Sequence, residues 1–128
     1  MWSNRYLEIP FVAGGRDWSG CDCYGLVRLV LRERFGKDVP PFLDYETLDP
    51  SEISPVADSI RTGVPATEVQ APHAGDVAVI ALRGLEVHCG VFVDETRILH
   101  TDSTTGPVIE DMNRPRLHGR IRGIYRVD

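Results

Sequence analysis

The sequence predicts an α+β domain in which one amphipathic helix near the N-terminus packs on an antiparallel β-sheet. Three observations predict it. Leu26, Val27, Val30 and Leu31 recur at the three-and-four spacing of a buried helical stripe, with Arg28, Arg32, Glu33 and Arg34 on the opposite side. From Val77 to Val127 the chain breaks into short apolar, β-branched runs separated by polar or glycine turns. The helical region precedes the strands instead of alternating with them, which is α+β order.

The elements follow in turn. Met1 to Glu8 lacks the continuous apolar core of a signal peptide, and no later run has the length of a membrane span. The chain is therefore expected to be made in the cytoplasm and to have no membrane span. Asp22 stands where a helix cap belongs, and Gly36 marks the helix end. Prolines at 40, 41, 50, 55, 65 and 72 then forbid any long regular element. One short helix is expected there, opened by Asp49-Pro50-Ser51-Glu52 and closed by Gly63. Strands are expected over Val77–Leu82, Val87–Val93, Arg97–Asp102, a short piece at Val108-Ile109, and Ile121–Val127, arranged as a meander. Alternate arginines in the last strand predict a solvated sheet face.

The 128 residues suit a single domain, residues 1–128, large enough to bury a core without disulfide or metal staples. A net charge of −5 argues against nucleic acid as a partner. Three cysteines cannot all pair, and Cys21 and Cys23 are one residue apart, so free thiols are expected.

Cys23 falls on the first turn of the predicted helix, beside unpaired backbone N–H groups and the positive end of the helix dipole. That setting lowers a thiol's pKa and enriches the thiolate. A cysteine nucleophile needs a base, and the strands supply His88 and His100. With Asp94-Glu95-Thr96 as the hairpin loop, Val93 pairs with Arg97 and His88 comes opposite Asp102, with His100 a diagonal neighbour. His88, His100 and Asp102 then share one face, and His100 and Asp102 are equal candidates to orient His88 by its second ring nitrogen. Backbone N–H groups at the helix start, including that of Cys23, are the natural oxyanion donors. The plainer readings are that Cys23 and His88 are structural, or that Cys21, Cys23, His88 and His100 hold zinc, although one-residue spacing is short for such a site. Cys89 follows His88 and should point to the other face, into the core. Cys21 lies near enough to Cys23 to modulate it, and His73 and His118 read as solvated.

In order along the chain, five motifs resemble those of the NlpC/P60-type cysteine peptidases of bacterial cell-wall peptides, a compact papain-like group. They are Ile9-Pro10-Phe11-Val12-Ala13-Gly14-Gly15, Asp22-Cys23-Tyr24-Gly25-Leu26-Val27, Gly75-Asp76-Val77, His88-Cys89-Gly90-Val91-Phe92-Val93, and His100 twelve residues after His88. The resemblance implies a Cys23–His88–His100 triad with no metal or organic cofactor, favouring His100 over Asp102. It implies cleavage of a γ-D-glutamyl–diaminopimelate or –lysine amide in peptidoglycan stem peptides through an acyl-enzyme. The resemblance further implies substrate contacts at Phe11, Asp22 and Tyr24. Phe11 departs from the family's usual tyrosine and Tyr24 from its usual serine, which locates any change in specificity at those two positions. Without a signal peptide, the nearest likeness is to members carried by phage tails, with tail proteins as partners and the virion as the route to the wall. The rival expectations are a non-catalytic structural module of a tail tip and the same chemistry on another amide.

Overall fold

The computed structural model describes residues 1–38, 66–82 and 85–128. The short helix expected from Asp49 lies outside the described residues. A 3-10 helix, Trp2–Glu8, opens the fold, followed by β1 (Arg16–Asp17), β2 (Gly20–Cys21) and α1 (Cys23–Phe35). Strands β3 (Ala66–Glu68), β4 (Val77–Leu82), β5 (Leu85–Phe92), β6 (Arg97–Asp102), β7 (Gly106–Asp111) and β8 (Ile121–Val127) form one sheet.

Helix α1 begins and ends where the sequence signals it. Asp22 has extended backbone and its side chain accepts from the Gly25 N–H. Gly36 closes the helix in the left-handed conformation, φ 65°, which only glycine adopts without a Cβ penalty. The stripe Leu26, Val27, Leu29, Val30 and Leu31 is buried against Val77, Val79, Val91 and Leu99 of the sheet. Each such side chain contributes about 1.5–3 kcal/mol on full burial. The N-terminal 3-10 helix, absent from the sequence expectation, is tied to α1 through Glu33. That carboxylate accepts from the Tyr6 hydroxyl at 3.0 Å and from Trp18 Nε1 at 2.9 Å, with the Tyr6 and Trp18 rings stacked at 5.0 Å.

The sheet is antiparallel, in the order β3-β8-β4-β5-β6-β7. Strands β4 to β7 form the expected meander, but β8 returns to the far side of β4 and β3 adds to its outer edge. This return corrects a simple meander, and its anchor is Asp76. The Asp76 carboxylate is almost fully buried and accepts from Arg126 Nε at 3.0 Å and Arg126 Nη2 at 2.9 Å, and from the His73 N–H at 2.7 Å. An arginine expected on a solvated face thus clamps β8 beside the start of β4. The side of the sheet away from α1 is covered as well, by a second core of Ala78, Ile80, Phe92, Ile98, Leu117 and Ile124.

Candidate active site

Loop Ile9–Gly15 and β2 cradle the start of α1. Val12 N–H donates to the Cys21 carbonyl and Cys21 N–H to the Pro10 carbonyl, each at 3.0 Å, with Phe11 bridged to Cys21. Gly14, at φ 74°, turns its N–H onto Asp22 Oδ2 at 3.1 Å. Asp22 Oδ1 accepts from Gly25 N at 2.8 Å and Arg16 Nη1 at 2.6 Å. The aspartate, 1% exposed, is thereby both cap and knot: one side chain joins helix, loop and Arg16. Burial raises its pKa first, the charge at Cys23 adds to this, and the donors oppose both. Gly25 is required by close approach, since a Cβ there would run into the Gly15 carbonyl.

Cys23 is half-buried at the head of α1 and all three cysteines are free. Cys89 and His88 are the neighbours that act on its thiol. Its pKa is held well below the ordinary thiol value, chiefly by the Cys89 hydrogen bond, against the cost of burial, with the hydrogen bond and charge of His88 adding to the shift. Cys89, giving its hydrogen bond to Cys23 in a buried setting, is pushed correspondingly far up.

Cys89 lies in the core on the helix side of the sheet, as alternation requires, yet it also reaches the nucleophile candidate. A bulge immediately precedes the two neighbours on this strand. Ile80 pairs with His88 but Ala81 pairs with Glu86, leaving one extra residue in β5 immediately before His88. Such an insertion bends the strand and increases its local twist.

The β5–β6 register places Val91 opposite Leu99 and Phe92 opposite Ile98, the offset the sequence predicts. It makes His88 and His100 diagonal partners, and His88 Nε2 meets His100 Nδ1 at 2.9 Å. Gly90 lets the rings close up: a Cβ there would stand 3.0 Å from His100 Cβ and 2.5 Å from Ile98 Cγ2. His100 is 1% exposed, and its Nε2 meets Glu110 Oε1 at 2.9 Å. Burial first, then the charge of His88, lowers the His100 pKa to about 4. Of His100 and Asp102, it is the His100 ring that meets His88. Asp102 Oδ1 accepts from Thr104 N and Thr105 N, each at 2.8 Å, and so holds the β6–β7 turn.

The remaining sequence candidates separate. Cys21 Sγ donates to the Asp17 carbonyl at 3.2 Å, and burial, aided by the Asp22 charge, pushes its thiol up to about 12. It does not converge with Cys23, His88 and His100, and among the described residues no three metal-ligating side chains gather as a cation site. Tyr24, expected to touch substrate, is 1% exposed, with its ring in the helix-side core and the Arg16 guanidinium carbon 5.6 Å from its centre. Phe11 is partly exposed beside the helix start, and His73 and His118 are exposed. Sequence reasoning missed Glu110 and the contact of Cys89 with Cys23. Strand parity relative to His100 carried the only available signal for Glu110.

Residues 8–126 match the model of the NlpC/P60 family, so the chain belongs to that family. It is 26% identical over 119 residues to a protein of Escherichia coli K12 named murein DD-endopeptidase MepS/murein LD-carboxypeptidase; the match covers 93% of this chain and 56% of the relative. The same protein from E. coli O157:H7 matches equally. The chain thus spans just over half the length of these curated relatives. Among solved structures, it superposes on the NlpC/p60 domain of the peptidoglycan hydrolase SagA with a TM-score of 0.63 at 18% identity, covering 98% of this chain and 92% of that one. A lipoprotein-like NLP/P60 family protein of Staphylococcus aureus gives 0.66 at 20% identity, covering 98% and 38%.

Proposed function

We propose that this NlpC/P60 domain is a cysteine peptidase that hydrolyses an amide bond of peptidoglycan stem peptides. Cys23 is the nucleophile, His88 the general base and acid, and His100 the residue that positions His88. The observation that carries the reading is the His88 Nε2 to His100 Nδ1 bond at 2.9 Å, beside a Cys23 thiol whose pKa His88 helps to lower. With Nε2 so engaged, Nδ1 is the nitrogen of His88 left to face the thiol.

The chemistry follows from that order. The Cys23 proton passes to His88 Nδ1, and the thiolate attacks the carbonyl carbon of the scissile amide. Backbone N–H groups at the head of α1 receive the developing oxyanion. As the C–N bond breaks, His88 returns the proton to the leaving amine, and a thioester on Cys23 remains. Water then attacks the thioester while His88 takes its proton, and the acid product leaves as the Cys23 thiolate is regenerated.

The scissile bond proposed is γ-D-glutamyl to diaminopimelate, on the strength of the motif resemblance. The E. coli relative is named for DD-endopeptidase and LD-carboxypeptidase cleavage, so those bonds belong in the same assay. Purified stem peptides and cross-linked muropeptides incubated with the protein should release a new amino terminus at one of these positions, read by mass spectrometry. Cys23→Ala and Cys23→Ser should abolish release; unchanged release by either overturns the mechanism. A phage-tail setting also belongs to this proposal, and the protein's presence in purified virions is its test.

A further inference from the structure

We propose that Glu110 is a fourth, positioning member of the Cys23–His88–His100 array, which selects the ring tautomer of His100 and through it leaves His88 Nδ1 able to take the thiol proton. The inference deepens the function proposed above and rests on its assignment of Cys23 and His88.

A triad whose third member is a carboxylate has no ambiguity, since a carboxylate only accepts hydrogen bonds. Here the third member is a histidine, and a neutral imidazole has one donor nitrogen and one acceptor nitrogen in either order. His100 by itself can therefore meet His88 in two ways. If Nδ1 of His100 accepts, His88 Nε2 carries the hydrogen and His88 Nδ1 is a free base. If Nδ1 of His100 donates, His88 Nε2 must accept, and the hydrogen of neutral His88 sits on Nδ1, where it blocks proton transfer from Cys23.

Glu110 removes the choice. It sits on β7 opposite Ile98, on the same face as His100, and its Oε1 lies 2.9 Å from His100 Nε2. A carboxylate there obliges Nε2 to donate, so Nδ1 of the neutral ring accepts. His100 is neutral because burial holds its pKa near 4. Among the described residues, these charged and titratable groups face the pair. His88 faces His100 from β5, Arg116 Nε lies 3.5 Å from Glu110 Oε2, and Arg116 Nη2 lies 3.8 Å from Asp102 of β6. The Glu110 side chain is 14% exposed, so its hydrogen bond to His100 is sheltered from competition by water.

The decisive variant is Glu110→Gln, equal in size, whose amide can turn its N–H₂ toward His100 Nε2 and permit the blocking tautomer. The expected result is a fall in kcat of about 10–100-fold, as when the carboxylate behind a functional histidine is lost, with KM little changed. A matching fall is expected in the rate of Cys23 alkylation by iodoacetamide at pH 6. In ¹⁵N-detected spectra of the unaltered protein, His100 should carry its hydrogen on Nε2 alone, and in Glu110→Gln the Nδ1–H form should appear. Finding Nδ1–H on His100 in the unaltered protein overturns the proposal without any variant. So does a Glu110→Gln protein with unchanged alkylation and unchanged ring nitrogens. Failure of the underlying reading looks different: Cys23 of the unaltered protein would then show no enhanced alkylation at all. Absence of stem-peptide hydrolysis alone would overturn the substrate and leave the alkylation and ring-nitrogen results to decide the role of Glu110.

Discussion

Replacing Asp22 by alanine separates capping from charge at the head of α1. The side chain gives Gly25 N–H its acceptor, and loss of a helix cap costs about 1 kcal/mol. The Gly14 N–H loses its partner at Oδ2, another ~1 kcal/mol. The Arg16 bond at 2.6 Å is charge-assisted, but Arg16 is 18% exposed and regains some water, so about 1 kcal/mol is a fair share there too. Against these stands the burial that raises the Asp22 pKa, a cost that the alanine variant no longer bears. The net is roughly 2–3 kcal/mol, and at about 4 °C per kcal/mol for a chain of this size Tm should fall by about 8–12 °C. Asp22→Asn keeps an acceptor for Gly25 but loses the charge and, with an N–H₂ in place of Oδ2, the bond from Gly14 N–H, so it should fall by about 4–8 °C. Thermal unfolding followed by circular dichroism measures both. An alanine variant within about 4 °C of the parent, or an asparagine variant as damaged as alanine, would refute the reasoning.

Three further outcomes are expected. Iodoacetamide at pH 6, followed by peptide mass mapping, should label Cys23 in strong preference to Cys21, whose thiol is pushed up to about 12 by burial; equal labelling sinks the tuned-thiolate account and favours a structural module. Gly90→Ala sets a methyl group 3.0 Å from His100 Cβ and 2.5 Å from Ile98 Cγ2, so it should cost about 1–3 kcal/mol and shift His100 off His88, reducing stem-peptide hydrolysis and Tm together; a lowered Tm with full hydrolysis would show that His100 is not held by this contact. His100 has its pKa lowered from 6.5 to about 4 by burial and His88, so between those values the unfolded chain binds a proton that the native ring refuses. Its contribution to stability is complete above about pH 6.5 and is lost as pH falls toward 4, by up to about 3 kcal/mol, so urea midpoints should drop across this window and drop less in His100→Asn; equal slopes count against it.

Local rules made much of this protein legible. Asp22 and Gly36 bound α1 because a capping side chain and a left-handed glycine act within one turn of the helix they end. Val77–Leu82, Arg97–Asp102 and Ile121–Val127 are strands over the bounds their apolar runs indicate, because a short run between turn residues has few alternatives. The pairing of His88 with His100 followed from a hairpin register set by Asp94–Thr96, again a neighbour effect.

Tertiary structure decided the rest. The 3-10 helix Trp2–Glu8 has no strong local signature and depends on Glu33, twenty-seven residues beyond Tyr6, for its docking. The return of β8 to β4 is fixed by Arg126 and Asp76, fifty residues apart, and an arginine in a strand looks solvated until its carboxylate is found. Cys89 faces the helix by alternation, but its reach to Cys23 depends on how the head of α1 docks on β5, which strand parity alone does not give. Glu110 reads as an ordinary strand carboxylate, and only the packing of β7 beside β6 brings it to His100. The sequence by itself determined the elements and singled out Cys23 and His88, because helix caps, periodicity and hairpin register are short-range. Which groups tune and orient that pair was decided by side chains meeting across the sheet, a matter of three-dimensional proximity that spacing along the chain does not encode.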